Sequence, residues 1–288
     1  MTIIRETAKA KINLSLEVLG RRADRFHEIR SFVAFASVAD IVTLAPGEML
    51  GLDVDGPFAH ALSSDNLILD TAKAARAACP DVTLGHFHLT KMLPVASGIG
   101  GGSSDAAAAL RLIARANPGR LPDATAREIA ASLGSDITVC LAGRAALMTG
   151  RGETVQTIGG MPICGVLLVN PGFPLSAGQV YDELRAVPLI DTDSEAIAMP
   201  DFGGDFARLI EYLAPRGNDL EPAALRLTPA IGEVLDVLER LSGATLPRMS
   251  GSGPTCFALF VSEAEAASAA RALNASRPDW WMEAGTLG

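Results

Sequence analysis

The sequence has little with which to build disulfides, cross a membrane or grip a polyanion. Its 288 residues hold four cysteines and four histidines, widely scattered and without a Cys-x-x-Cys pair. That spacing excludes a structural zinc site, and Cys140 and Cys256 stand in apolar runs, where cysteine acts as a small buried hydrophobe. No basic stretch leading into an apolar one opens the chain, and with reduced thiols this gives a cytoplasmic reading. No uncharged apolar run reaches the roughly 18 residues of a membrane span, so no membrane partner is expected. Cations are also scarce. Against 33 Asp and Glu stand 24 Lys and Arg, a net charge of −9. Neutralising many phosphates takes clustered positive charge, so a nucleic-acid partner is excluded. One small anion remains within reach of a few backbone N–H groups and a single lysine.

What is present reads as a packed α+β protein. Hydrophobic residues make up 49% of the chain, and its length suggests two domains, divided near residue 160 into 1–160 and 161–288. From Ala8 to Val18 apolar and polar residues alternate, with Lys9, Lys11, Asn13, Ser15 and Glu17 on one side, which predicts a strand with one buried face. Further strands are expected over Asp40–Leu44, Leu50–Val54, Val82–Leu89, Ile163–Val169 and Cys256–Val261. Helices are expected over Asn66–Ala78, Ser104–Ala116, Thr125–Leu133, Asp136–Leu141, Arg226–Leu241 and Glu263–Leu273. Thr125 with Glu128, and Ser262 with Glu265, have the spacing of capping boxes. Leu189–Asp205, acidic and rich in small residues, reads as a solvated loop.

The chemistry should lie where glycine meets a helix start. Pro94-Val95-Ala96-Ser97-Gly98-Ile99-Gly100-Gly101-Gly102-Ser103-Ser104 places four glycines in five positions ahead of an alanine-rich helix. Glycine lets a ligand approach the backbone, and a helix start offers unpaired N–H groups and partial positive charge, so phosphate is the natural ligand. The loop is not a Walker A motif, because the chain contains no Gly-Lys pair. It is not a dinucleotide fingerprint either, because Ser103 stands where the third glycine belongs. The protein-kinase signatures His-Arg-Asp and Asp-Phe-Gly read as absent, an expectation corrected below for the second. A second cluster, Met249-Ser250-Gly251-Ser252-Gly253-Pro254-Thr255, reads either as a tight turn or as a second backbone cradle facing the first across a cleft.

Together these segments resemble the GHMP kinase superfamily. The residues that carry the resemblance are Ala10-Lys11-Ile12-Asn13-Leu14, Arg22–His27, Asp65-Asn66-Leu67, Pro94–Asp105, Leu133-Gly134-Ser135-Asp136 and Met249–Phe257. Within the superfamily they are most similar to the branch that phosphorylates the 2-hydroxyl of a cytidyl-diphospho-methylerythritol in non-mevalonate isoprenoid synthesis. The alternatives are a homoserine- or mevalonate-type kinase, and a non-catalytic nucleotide-binding relative. The implied fold has an N-terminal domain with a left-handed β-α-β crossover and a ferredoxin-like C-terminal domain, with ligands meeting between them.

The resemblance also implies roles. ATP would lie on Pro94–Ser104 with Asn66 beside the adenine, and Mg2+ would bridge its phosphates, with no metal ligand assigned in the chain itself. Ser103 and Ser104 hydroxyls would touch phosphate or metal-bound water. Asp136 matches the catalytic aspartate, and Lys11 the lysine that accompanies it. On the substrate side, His27 would read the cytosine edge, Phe26 and Tyr181 would stack on the base, and Asn13, Gly251 and Ser252 would line the site. Asp105 receives no role. A monomer and a homodimer are equally open.

Overall fold

The structure is a computed structural model that describes residues 2–63, 65–190 and 199–288. By backbone contacts the chain forms two compact units, and it passes between them several times. Unit 1 comprises residues 1–10, 39–95 and 100–143; unit 2 comprises 11–38, 96–99 and 144–288. Two long strands, β1 (Ile4–Arg21) and β2 (His27–Pro46), contribute to both.

Unit 1 is a small sheet with four helices. The end of β2 runs antiparallel to β4 (Gly85–Thr90), from Ile41 opposite Thr90 to Pro46 opposite Gly85. Strand β3 (Gly51–Asp55) lies parallel to β4 on its other side. The helices are α1 (Leu67–Ala78), α2 (Gly101–Ala116), α3 (Asp123–Leu133) and α4 (Ser135–Ala142). In α2 the run Ala106–Ala109 is fully buried; small side chains let the other helices come close to its backbone.

Unit 2 holds two sheet segments. In one, the first part of β2 pairs with β5 (Ala146–Gly150), which turns back into β6 (Thr154–Thr157). In the other, β7 (Cys164–Asn170) lies between β10 (Trp281–Leu287) and β9 (Cys256–Phe260), and β8 (Thr245–Met249) flanks β9, all antiparallel. Helices α5 (Ala177–Leu184), α6 (Phe206–Leu213), α7 (Glu221–Leu227) and α8 (Ala230–Glu239) precede β8, and α9 (Glu263–Asn274) joins β9 to β10. The order β-α-β-β-α-β with strand sequence β10-β7-β9-β8 is the ferredoxin-like arrangement. Val166–Val169 and Cys256–Phe260 are buried throughout, which explains their uninterrupted apolar composition.

Several local expectations are corrected. The first strand is buried on both faces between Ala10 and Leu16, not on one. Helix α2 starts at Gly101, three residues before Ser104, because Gly100 takes the cap position with φ +64°. Thr125 and Glu128 form no capping box, since α3 already begins at Asp123 after Pro122; Ser262 does cap α9, accepting from Glu265 N at 3.3 Å. The helix read over Arg226–Leu241 is two helices, broken at Thr228-Pro229, where proline has no N–H to continue the ladder. Of the loop read over 189–205, residues 191–198 lie outside the described residues. The remainder is not wholly solvated: Phe202 is 2% exposed, and Asp205 caps α6 through Ala207 N and Arg208 N. The chain does contain an Asp-Phe-Gly triplet, Asp201-Phe202-Gly203, but it is a turn in which Asp201 accepts from Gly203 N and Phe202 packs on Phe32 and Tyr212. The four cysteines form no disulfide. Among the described residues no helix is long and apolar enough to cross a membrane.

Candidate active site

In unit 1 the glycine loop ends as an open helix start. The first intrahelical bond of α2 runs from Ser104 N to Gly100 O at 2.9 Å, and the cap residue makes no side-chain bond. The N–H groups of Gly101, Gly102 and Ser103 therefore have no intrahelical acceptor. Gly102 is exposed and Gly101 and Ser103 are half-buried, so a phosphate can reach them. Ser104 is used differently from the expectation. Its hydroxyl is buried and donates to Lys9 O at 2.6 Å, which ties α2 to β1. It is thus a structural anchor, while Ser103 keeps the more accessible hydroxyl. Pro94 is buried and Val95 half-buried at the loop's entry. Asn66 caps α1, its side-chain oxygen accepting from Ile68 N at 2.9 Å. Asp136 lies inside the first turn of α4, whose cap position is Gly134; a carboxylate there suits the positive end of the helix.

In unit 2 the two glycine segments touch directly. Gly98 O accepts from Ser250 Oγ at 3.1 Å, and Ser97 O accepts from Thr255 N at 3.2 Å. Ser250 Oγ also accepts from Asn13 N at 3.1 Å. A Cβ on Gly98 would stand 2.3 Å from Ser250 O, and one on Gly251 would stand 2.7 Å from Gly98 O. Both positions have positive φ, +76° and +55°. Glycine is required twice over, by conformation and by contact. The second cluster is therefore packed against residues 96–99, and does not face them across a cleft. Gly251 is buried in that contact, and Ser252 is half-buried beside it. Asn218 fixes the turn by donating to Met249 O and Gly251 O, both at 2.8 Å.

Lys11 and Asn13 belong to the same assembly. Lys11 N donates to Ile99 O at 2.9 Å, and Lys11 Nζ donates to Asn13 Oδ1 at 2.7 Å. Asn13 Nδ2 donates to Ser31 Oγ at 2.8 Å, and Ser31 in turn donates to Ser15 O at 2.6 Å. The relay sets the Asn13 amide so that its oxygen faces the ammonium. Lys11 is only 4% exposed, so the reading of this face as a solvated one fails for Lys11 and holds for Lys9.

The aromatics expected on the substrate side split into two groups. His27 stacks on Tyr181 of α5, with ring centroids 4.7 Å apart and planes 22° from parallel. Burial, and then the nearby Arg21 charge, lower the His27 pKa from its usual value. The imidazole is thus neutral at pH 7 and offers one donor and one acceptor. Phe26 is 54% exposed and carries the Arg151 guanidinium 4.8 Å above its ring. Core packing does not account for so open an aromatic ring. Glu28 joins the two segments involved, accepting from Arg22 Nη1 at 2.5 Å and from Gly150 N at 3.1 Å.

Comparison with known proteins gives the family. The GHMP kinase N-terminal domain family matches residues 66–144, and the GHMP kinase C-terminal family matches 198–279. A Nitrobacter hamburgensis protein named 4-diphosphocytidyl-2-C-methyl-D-erythritol kinase is 47% identical, covering 99% of this chain and 96% of its own. The chain belongs to that family of GHMP kinases. A crystal structure of 4-(cytidine 5'-diphospho)-2C-methyl-D-erythritol kinase superposes with a TM-score of 0.79 at 32% identity, covering 99% of both chains. Homoserine kinase from Cytophaga hutchinsonii, at 16% identity and a TM-score of 0.67, shares the fold alone.

One cluster in this GHMP kinase was missed by sequence reasoning. In unit 1, Lys91 Nζ lies 2.5 Å from Asp40 Oδ2 and 2.7 Å from Asp105 Oδ2, and the three residues are 1%, 0% and 3% exposed. Asp40 Oδ1 also accepts from Met92 N at 2.6 Å and Leu93 N at 2.8 Å. Asp105 Oδ1 is buried without a hydrogen-bond partner. Burial, opposed by Lys91 and assisted by Asp40, pushes the Asp105 pKa up to about 7. A signal was available, because Asp105 shares a helix face with Ala108, Ala109 and Leu112, where a charge is out of place.

Proposed function

We propose that this chain moves the γ-phosphoryl group of ATP to the 2-hydroxyl of 4-diphosphocytidyl-2-C-methyl-D-erythritol, in the cytoplasm, as a step of isoprenoid precursor synthesis. The observation that carries the reading is the start of α2, which opens three N–H groups behind Gly100 in a chain akin to these kinases over its whole length. Phosphoryl transfer passes through a loose transition state, so positioning and charge stabilisation outweigh covalent help. The Gly101, Gly102 and Ser103 N–H groups would hold the nucleotide phosphates, and the N-terminus of α2 would supply the field that a Walker lysine supplies elsewhere.

Asp136 would accept a hydrogen bond from the substrate hydroxyl, orient its oxygen towards the γ-phosphorus and take the proton as transfer completes. Lys11, its amine directed by Asn13 Oδ1, would stabilise negative charge on the moving phosphoryl group. Neutral His27 suits the cytosine edge, which presents an amino donor beside acceptors. Phe26 and Tyr181 would cover the base, and Ser252 would line the substrate side with Asn13. Asn66 would reach the adenine side through the amide nitrogen that its cap bond leaves.

Among the described residues no three His, Cys, Asp or Glu side chains cluster as a metal site. Mg2+ would arrive on the nucleotide, since this ion is commonly held by phosphates and one or two protein oxygens. Ser103 Oγ is the oxygen that would meet it, directly or through a metal-bound water, and the ion would neutralise charge on the β- and γ-phosphates.

The test is ADP release with three alcohols: the cytidyl-diphospho substrate, homoserine and mevalonate. A kcat/KM preference of roughly 100-fold or more for the first is expected, because the half-buried His27, set to hydrogen-bond a base, is left unpaired by the other two. Equal turnover of all three would remove the cytidine assignment.

A further inference from the structure

The Lys91–Asp40–Asp105 cluster is large for a structural pair and poor as one. Two carboxylates share one ammonium away from water, and one carboxylate oxygen has no partner. Burying three charges in this ratio is a weak route to stability. Nor can Lys91 stand in for a phosphate-binding lysine, because both carboxylates claim its ammonium. What the cluster does have is position. Asp40 binds Lys91 Nζ and the N–H groups of Met92 and Leu93, the residues that lead into the glycine loop. Asp105 binds the same ammonium from the first turns of α2, just after the loop. The loop's entry and exit are therefore joined through one nitrogen atom. Gly101 lies directly over it, for a Cβ there would come within 3.1 Å of Lys91 Nζ.

We propose that Lys91, Asp40 and Asp105 form a positioning triad that fixes the two ends of the glycine loop, and so presets the N–H groups of residues 101–103 for nucleotide phosphate. The inference rests on the nucleotide reading given above. Asp40 is the fixed end, saturated by three donors. Lys91 is the linker. Asp105 is the exit anchor, and it is the member that the fold can spare, because its removal takes away the excess buried carboxylate and leaves a charge-neutral Lys91–Asp40 pair. Alanine there also continues the run Ala106–Ala109 and suits the helix. Removing Lys91 instead would leave two buried carboxylates with no cation, which endangers folding itself.

The test is titration of the full chain with a non-hydrolysable β,γ-imido analogue of ATP, alongside thermal unfolding. Asp105→Ala is expected to weaken the analogue's Kd by about tenfold, as if one further residue's backbone had to be fixed on binding, while Tm stays level or rises. Asp105→Asn keeps an acceptor for Lys91 Nζ and is expected to restore Kd to within twofold of wild type. A purely structural role gives the opposite pattern, a lower Tm with unchanged Kd, and overturns the proposal. Should Asp105→Ala fail to fold, Asp105→Glu keeps the charge but lengthens the tether, and a Kd at least threefold weaker is expected. An unchanged Kd in that variant also overturns it. If the wild type binds no analogue, the nucleotide reading fails and the triad's role falls with it. If the wild type and Asp105→Ala bind equally well, only the triad's role is lost.

Discussion

Gly98 and Gly172 offer a controlled comparison of how the two glycine segments hold each other. Both belong to unit 2 and both have left-handed backbone, φ +76° and +85°. A Cβ on Gly172 would meet nothing within 4 Å, whereas one on Gly98 would stand 2.3 Å from Ser250 O, 2.6 Å from Gly253 N and 2.8 Å from Gly253 O. Alanine at either position costs about 1–2 kcal/mol for the left-handed conformation alone. Only at Gly98 does it also collide with backbone, which cannot swing aside as a side chain can. Relief means separating residues 96–99 from 250–255 and losing the Ser250–Gly98 and Thr255–Ser97 hydrogen bonds, about 0.5–1.5 kcal/mol each. Gly98→Ala should therefore destabilise by about 2–5 kcal/mol and Gly172→Ala by about 1–2 kcal/mol.

At about 2–4 °C per kcal/mol for chains approaching this size, the first unfolding transition should fall by roughly 4–20 °C in Gly98→Ala and roughly 2–8 °C in Gly172→Ala. Urea denaturation followed by circular dichroism, run on both variants together, isolates the contact from the strain they share. The decisive quantity is the gap between them. If the two variants agree within about 0.5 kcal/mol, the ordinary scatter of surface substitutions, the packing of the glycine segments contributes nothing and the reasoning fails.

Other expectations follow from the same residues. Asp136→Asn should lower kcat by about 10²–10⁴, the usual contribution of a positioned base, while the imido analogue of ATP binds within about twofold of wild type; unchanged turnover would refute its role. His27→Ala should raise KM for the cytidyl substrate by roughly tenfold or more, since it removes a stacked ring together with hydrogen bonds to a base. An unaltered KM would transfer base recognition to other groups. Asp105 predicts a pH effect on stability. Its pKa is raised from 3.8 to about 7 in the fold, so the folded state holds a proton that the unfolded chain releases. Stability relative to Asp105→Asn is then greatest below the unfolded value and is lost as pH rises through about 4 to about 7. Parallel urea titrations across that range that show a constant difference would contradict the assignment.

Chemistry was easier to read in this chain than burial. The alternation of Ala8–Val18 announces a strand because the period of two is local, and Lys11 and Asn13 follow from a motif. Yet the same alternation suggests that Lys11, Asn13 and Ser15 face water, and all three are buried. Their cover comes from far along the chain, from Ile99, Ser31 and Ser250, and no local pattern encodes that. The start of α2 was misplaced because a glycine cap works through its backbone angle and leaves no side-chain signature, while Ser103 and Ser104 look like caps. The triad was hidden for the opposite reason. Asp40, Lys91 and Asp105 are single charges in otherwise apolar surroundings, with Lys91 separated by 51 positions from one partner and 14 from the other, so no motif contains them. Each would nonetheless be costly to bury alone. An unpaired charge on an apolar face is therefore itself a prediction that a partner exists, and the partners can be sought among the other misplaced charges. Applied here, that rule selects Asp105 from the face of α2, then Lys91 after β4 and Asp40 in the apolar second half of β2. It recovers, from physical cost alone, the cluster that motif reading passed over.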